Sequence, residues 1–219
     1  MIHLVEDKNI LMNQTANYFF KIAYYLSLSY FTYLMMLITW QYVPINFNVA
    51  FLNLKEEEIN FTHYQIAFFS HIYSSIFVLI IGAFQFSKTI RNRFSSLHRN
   101  LGKIYILLVL AIASPSGLVM AYHANGGFFS KVSFSIQAVL WFYFTWKAYQ
   151  FAKNKDWKNH QNFMMRSFAL TLSAISLRLL KWGIVSTLAP PPMDTYKVVA
   201  WLGWMLNLAI VEIYIWKRK

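Results

Sequence analysis

Six apolar stretches dominate the chain, each close to the 17 to 25 residues that cross about 30 Å of hydrocarbon. They run from Ile22 to Val43, Ile66 to Phe86, Leu101 to Tyr122, Val132 to Phe151, Phe163 to Val185 and Val198 to Trp216. The expected fold is all-α: a polytopic membrane helix bundle with six transmembrane helices, one domain covering residues 1–219. Composition agrees, because 58% hydrophobic and 13% charged residues are far from the roughly one quarter charged of a soluble fold. The first span is too long for a signal-peptide core and no small-residue cleavage site is evident, so it is expected to remain as a helix.

Loop charges give the expected orientation, since short loops rich in Lys and Arg stay in the cytoplasm. Fifteen of the 20 basic residues fall on one side, in Lys88–Lys103, Lys147–Arg166, the tail Lys217–Lys219, and at Lys8 and Lys21. The opposite loops hold Lys55, Lys131 and Lys197, together with Glu56, Glu57 and Glu58. Both termini are therefore expected inside, in a multi-pass protein of a bacterial cytoplasmic membrane. The net charge of +12 is loop charge of this kind, and no nucleic-acid reading module accompanies it. The lipid bilayer is the expected partner; a membrane-complex partner or a second copy of the chain is an open alternative without a positive signature. The 44–65 loop carries an apolar run, Val49 to Leu54, that reads as a short interfacial helix or as irregular chain. Ala189-Pro190-Pro191-Pro192 cannot continue a helix and predicts a stiff connection between the last two spans.

With no cysteine, a disulfide, a thiolate metal site and a cysteine nucleophile are excluded, so redox or metal chemistry would need His, carboxylates or a cofactor. No nucleophile–base arrangement, Gly-rich phosphate loop or dinucleotide fingerprint is present, which disfavours hydrolase and kinase readings.

The middle of the chain carries a specific pattern: His71, Gly82, Gln85, Arg91, Leu97-His98-Arg99 with Gly102 and Tyr105, Gly126-Gly127, Trp141, His160, Met165-Arg166-Ser167-Phe168-Ala169-Leu170-Thr171 and Leu177-Arg178. This resembles a bacterial family of predicted membrane proteins, DUF2306, over about Gln65 to Lys181. Met164-Met165 departs from the Trp-Met pair that the pattern prefers. The resemblance implies a membrane protein and brings no activity with it.

Function must then come from the polar residues inside the spans. Histidines sort by depth into His98 with His160 at the basic end, and His63, His71 and His123 at the other. Bis-histidine haem requires one imidazole from each of two facing helices at matched depth, so His98 and His160 are candidate ligands of haem b or another redox cofactor. His71 and His123 are a second, less well matched pair, offset by about 10 Å along their helices unless helix tilt or a break at Pro115 corrects it. A His-only metal site from His63, His71 and His123 is weakened because the eight-residue spacing of the first two separates them by about 80° on a helix. A second class of function is a transporter- or channel-like polar cavity. Arg178 and Lys181 lie within a span, where charge is costly and marks a functional site by default; Thr171, Ser167, Gln85, Arg99 and Arg166 are the helpers. His160, Met164, Ser167, Thr171 and Arg178 fall on one face of a straight helix. A structural Arg178, bonded to backbone carbonyls or snorkelling to the outer interface, is the plain alternative.

Overall fold

The computed structural model of the protein describes residues 2–218, with side chains given for residues 18 and 19 and from residue 22 onward. Lys8, Lys21 and Lys219, counted above toward the basic end, lie outside these described parts. Nine helices follow one another among the described residues: α1 Ile2–Trp40, α2 Thr62–Gln85, α3 Lys88–Arg93, α4 Ser95–Leu107, α5 Ser114–Tyr122, α6 Gly127–Lys153, α7 Trp157–Thr171, α8 Ser173–Leu188 and α9 Pro192–Lys217. No strand occurs among them. A π-helical turn at Leu108–Ala113 joins α4 to α5, so the two form one long span interrupted where Pro115 removes an amide from the ladder. The apolar run after Val49 forms a short 3₁₀ helix, Ala50–Leu54.

Four segments are long and apolar enough to cross a membrane: Ile22–Trp40, Thr62–Gln85, Ser95–Tyr122 and Pro192–Lys217; α7 and α8 make a fifth if the bent pair counts as one span. The fourth expected span coincides with α6, which has 27 residues and a length of about 40 Å but is not among these. Its polar side chains turn inward instead of being absent. Ser133 donates to the Ala200 carbonyl, Thr145 to the Trp141 carbonyl and Gln137 to the Ser173 hydroxyl, so these three residues, which lower its hydropathy, are satisfied inside the bundle.

Local chemistry explains several helix ends. Asp156 caps α7 by accepting from the Asn159 amide at 3.1 Å, and α8 stops at Leu188 before the proline run. Between α7 and α8 the axis bends by 42°. Thr171 donates back to the Ser167 carbonyl and Ser173 to the Leu170 carbonyl, and hydroxyls bonded to the preceding turn open a helix at that point. The fifth span is therefore not the straight helix assumed from spacing: Met164, Ser167 and Thr171 are buried while Arg178, beyond the bend, is not.

The core lies where α2, α4, the π turn, α6, α7 and α9 meet, and is built on Val78, Tyr105, Val109, Trp141, Met164 and Trp204. In lipid, helices associate through close fit more than through burial of apolar surface. Gly203 shows this: a Cβ there would come to 3.0 Å of the Leu177 side chain, so the glycine sets how near α9 approaches α8. α8 packs chiefly on α9, and α1 leans on α2.

Candidate functional site

At the end opposite the basic loops the bundle is hollow. A cavity of about 560 Å³ lies between α1, α2, α5, α6 and α8, beneath the chain that follows α1. Its walls are mainly apolar, with polar groups converging from His71 and Ser75 on α2, Gln137 on α6, and Thr171, Arg178 and Lys181 on the bent pair. A mostly apolar concavity with a few convergent polar groups is the ordinary form of a small-molecule site.

His71 is held by backbone. Its Nδ1 lies 2.8 Å from the Ala113 carbonyl, at the end of the π turn. A carbonyl only accepts, so in the neutral ring Nδ1 carries the hydrogen and Nε2 keeps its lone pair. The imidazole fits because residue 117 is glycine; a Cβ there would stand 3.0 Å from His71 Cε1. Arg178 donates to the Ala174 carbonyl at 2.8 Å, which satisfies one of its five donors. Among the described residues neither Arg178 nor Lys181 has a carboxylate within ion-pair distance. The Tyr42 hydroxyl, also on the cavity wall, accepts from the Phe51 amide at 3.2 Å.

A dry polar seam closes the cavity toward the basic end. Tyr105 bonds to the Ser167 hydroxyl at 2.9 Å and the Thr171 hydroxyl at 3.1 Å, and Thr145 meets Ser167 at 2.7 Å. Tyr105, Thr145 and Ser167 have no exposed surface. Thr171 belongs to both seam and cavity, whereas Ser167 belongs to the seam alone.

Over the mouth, Lys55 is buried and bonds through Nζ to the His123 carbonyl, the Asn125 side chain and Glu58. Burial works to raise the Glu58 carboxyl, but the hydrogen bond and charge of Lys55 hold it below the ordinary value. His63 and His123 meet at 3.1 Å between their Nε2 atoms, so one ring donates and the other accepts. His71 does not join them, and among the described residues no group of three His, Asp or Glu is placed to hold a metal.

The basic end presents a separate cluster. His160 bonds through Nδ1 to the Ala148 carbonyl at 2.8 Å, leaving Nε2 free in the neutral ring. His98 lies near it, and His98 Nδ1 and Gln85 Nε2 are buried without a hydrogen-bond partner. Arg166 pairs with Glu212 through two nitrogens, Nη2 to Oε2 at 2.8 Å, and stacks over the Phe163 ring. Arg99 is exposed beside His98. Thus Arg178 and Thr171 line the cavity together with His71 and His123, while Gln85, Arg99 and Arg166 are not on its walls.

Sequence reading missed Gln137, Tyr42 and the burial of Lys55. Gln137 carried a usable signal, because an amide in an apolar span needs a partner as Arg178 does; nothing in the sequence distinguishes Lys55 from an ordinary loop lysine.

A family model described as a predicted membrane protein (DUF2306) matches residues 68–215. No curated protein and no solved structure matches the chain.

Proposed function

The chain belongs to the DUF2306 family of predicted membrane proteins, and we propose that it binds an anionic small molecule in the cavity around Arg178, as a transporter-like protein of a bacterial cytoplasmic membrane. The observation that carries this reading is the pair of cations, Arg178 and Lys181, on the wall of a 560 Å³ cavity with no carboxylate partner among the described residues. Holding such charges at membrane depth is costly unless something compensates them, and an anionic ligand does so. The Tyr105, Thr145 and Ser167 seam serves as the closed side, which makes this an outward-open arrangement under the charge rule. Six crossings follow if α6 spans with its polar face inward.

Cysteine scanning is clean here because the chain has no native Cys. Lys181→Cys in intact cells is expected to react with a membrane-impermeant maleimide added outside, and a small carboxylate such as benzoate is expected to slow the reaction. Ser96→Cys, in the basic segment, should react only after the cells are opened. Labelling of Ser96→Cys from outside would reverse the orientation, and a Lys181→Cys that never reacts would remove the cavity reading.

A second reading has its own support. His98 and His160 lie together at the basic end, each offering an unbonded ring nitrogen, and a ligating imidazole characteristically donates its other N–H to a carbonyl, as His160 does to Ala148. These two residues would hold haem b, which would supply one-electron chemistry; colourless protein made with ample haem precursor would discard it.

A further inference from the structure

We propose that the ligand of the cavity is a single-chain amphiphile with a carboxylate head, whose alkyl tail leaves the protein sideways between α1 and α8. This rests on the anion-binding reading above and adds to it the tail and its route. A second space, of about 360 Å³, runs between these two helices and is lined by Phe31, Leu34, Leu37 and Ile175, all apolar. Met35, Ile38 and Arg178 line both this groove and the cavity, so the guanidinium stands at the junction of the two spaces. α1 packs on α2 and makes no comparable contact with α8, which leaves the groove open toward lipid along its length. From Phe31 to Ile38 that length is about 10 Å of helix.

A water-soluble anion would need the cations but not a groove whose lining is apolar except for Arg178. A neutral lipid would need the groove but leave the cations uncompensated. A carboxylate on a chain satisfies both: its oxygens face the Arg178 fork, whose planar donors match a carboxylate, while Lys181 stands one turn further along α8. The tail meets side chains no more polar than the bilayer it leaves, so the charged head supplies the selectivity.

The probe is stearate carrying a nitroxide midway along its chain, added to vesicles containing the full-length protein, with the identically labelled methyl ester as the uncharged control. The expected electron-paramagnetic-resonance spectrum has an immobilised component for the carboxylate well above that of the ester. Arg178→Gln is expected to reduce it to the ester's level, and Leu34→Trp, which fills the groove at a position that does not line the cavity, to reduce it while leaving Lys181→Cys protection by benzoate intact. Equal immobilisation of acid and ester, or a component unchanged in Arg178→Gln, would mean ordinary boundary lipid and overturn the proposal. Benzoate protection without preferential stearate binding would overturn the amphiphile while leaving the anion site standing; absence of both would remove the two together.

Discussion

Replacing Lys55 by methionine tests whether the loop over the cavity is fastened by a single ammonium group. Lys55 is 1% exposed although it belongs to a loop, and its Nζ donates to the His123 carbonyl, the Asn125 side chain and Glu58. Methionine keeps most of the stem but strands these acceptors. A buried acceptor left unpaired costs about 1 to 3 kcal/mol, and here two of the three are tied to the same turn after α5. Glu58 is 27% exposed at its side chain and regains water, so its share is discounted toward that of a surface pair. The expected loss is about 3 kcal/mol, which for a chain of this size lowers Tm by roughly 6 to 12 °C. Tryptophan fluorescence during thermal unfolding in detergent reads this directly. Asn125→Ala, which removes one acceptor and leaves the ammonium two, should lose about 1 kcal/mol. A Lys55→Met protein that melts within about 2 °C of the parent would show that the loop is held by its apolar contacts, and the fastening argument would fail.

Other expectations are more local. Gly82→Ala would place a Cβ 2.5 Å from the Phe168 ring and 3.0 Å from Tyr105, so overpacking of about 1 to 3 kcal/mol is expected; a Tm equal to the parent's would show that Phe168 moves freely. Tyr105→Phe removes the hydroxyl shared by Ser167 and Thr171 and should lower stability by about 1 kcal/mol in the same melt, whereas an increase would mark the seam as strained. His123 titrates below the ordinary histidine value because of burial first and the neighbouring His63 second, with Glu58 acting in the opposite direction. A histidine with a lowered folded pKa leaves the unfolded chain the better proton acceptor, so its contribution is complete above about pH 6.5 and is lost as pH falls toward the folded value. Melts between pH 7.5 and 5.5 should show this loss, and a slope unchanged in His123→Gln would assign it to other groups.

The features readable from the sequence were those encoded in runs of residues. Long apolar stretches located α1, α2, the α4–α5 span and α9, the proline run located the α8–α9 connection, and the clustering of Lys and Arg separated the basic end from the other. Arg178 was legible because a charge within an apolar run is conspicuous whatever the tertiary arrangement. The bend at Leu172 was not, since Ser and Thr occur in straight helices as well, and only the bonds they choose decide. Helical spacing consequently put His160, Met164, Ser167, Thr171 and Arg178 on a common face that the bend divides. The meeting of His63 with His123 and the burial of Lys55 depend on how a loop folds over a helix end, which no periodic pattern records. α6 was located as well, since the stretch Val132 to Phe151 lies within Gly127–Lys153; what hydropathy averaged over all faces conceals is that Ser133 and Gln137 bond inward.

The 42° bend also has a plain geometric result. α8 has 16 residues, about 24 Å of helix, so its far end stands about 16 Å off the line α7 would have followed, more than the 10 to 12 Å diameter of a helix with its side chains. A straight fifth span would continue beside α6; the bent one departs from that neighbour and travels with α9 instead. The hollow at this end is therefore a helix-width vacancy left by one deflected rod, and its size is governed by an angle more than by the bulk of the side chains that line it. Substitutions that straighten the chain at Thr171 and Ser173 would close it with the rest of α8 unaltered.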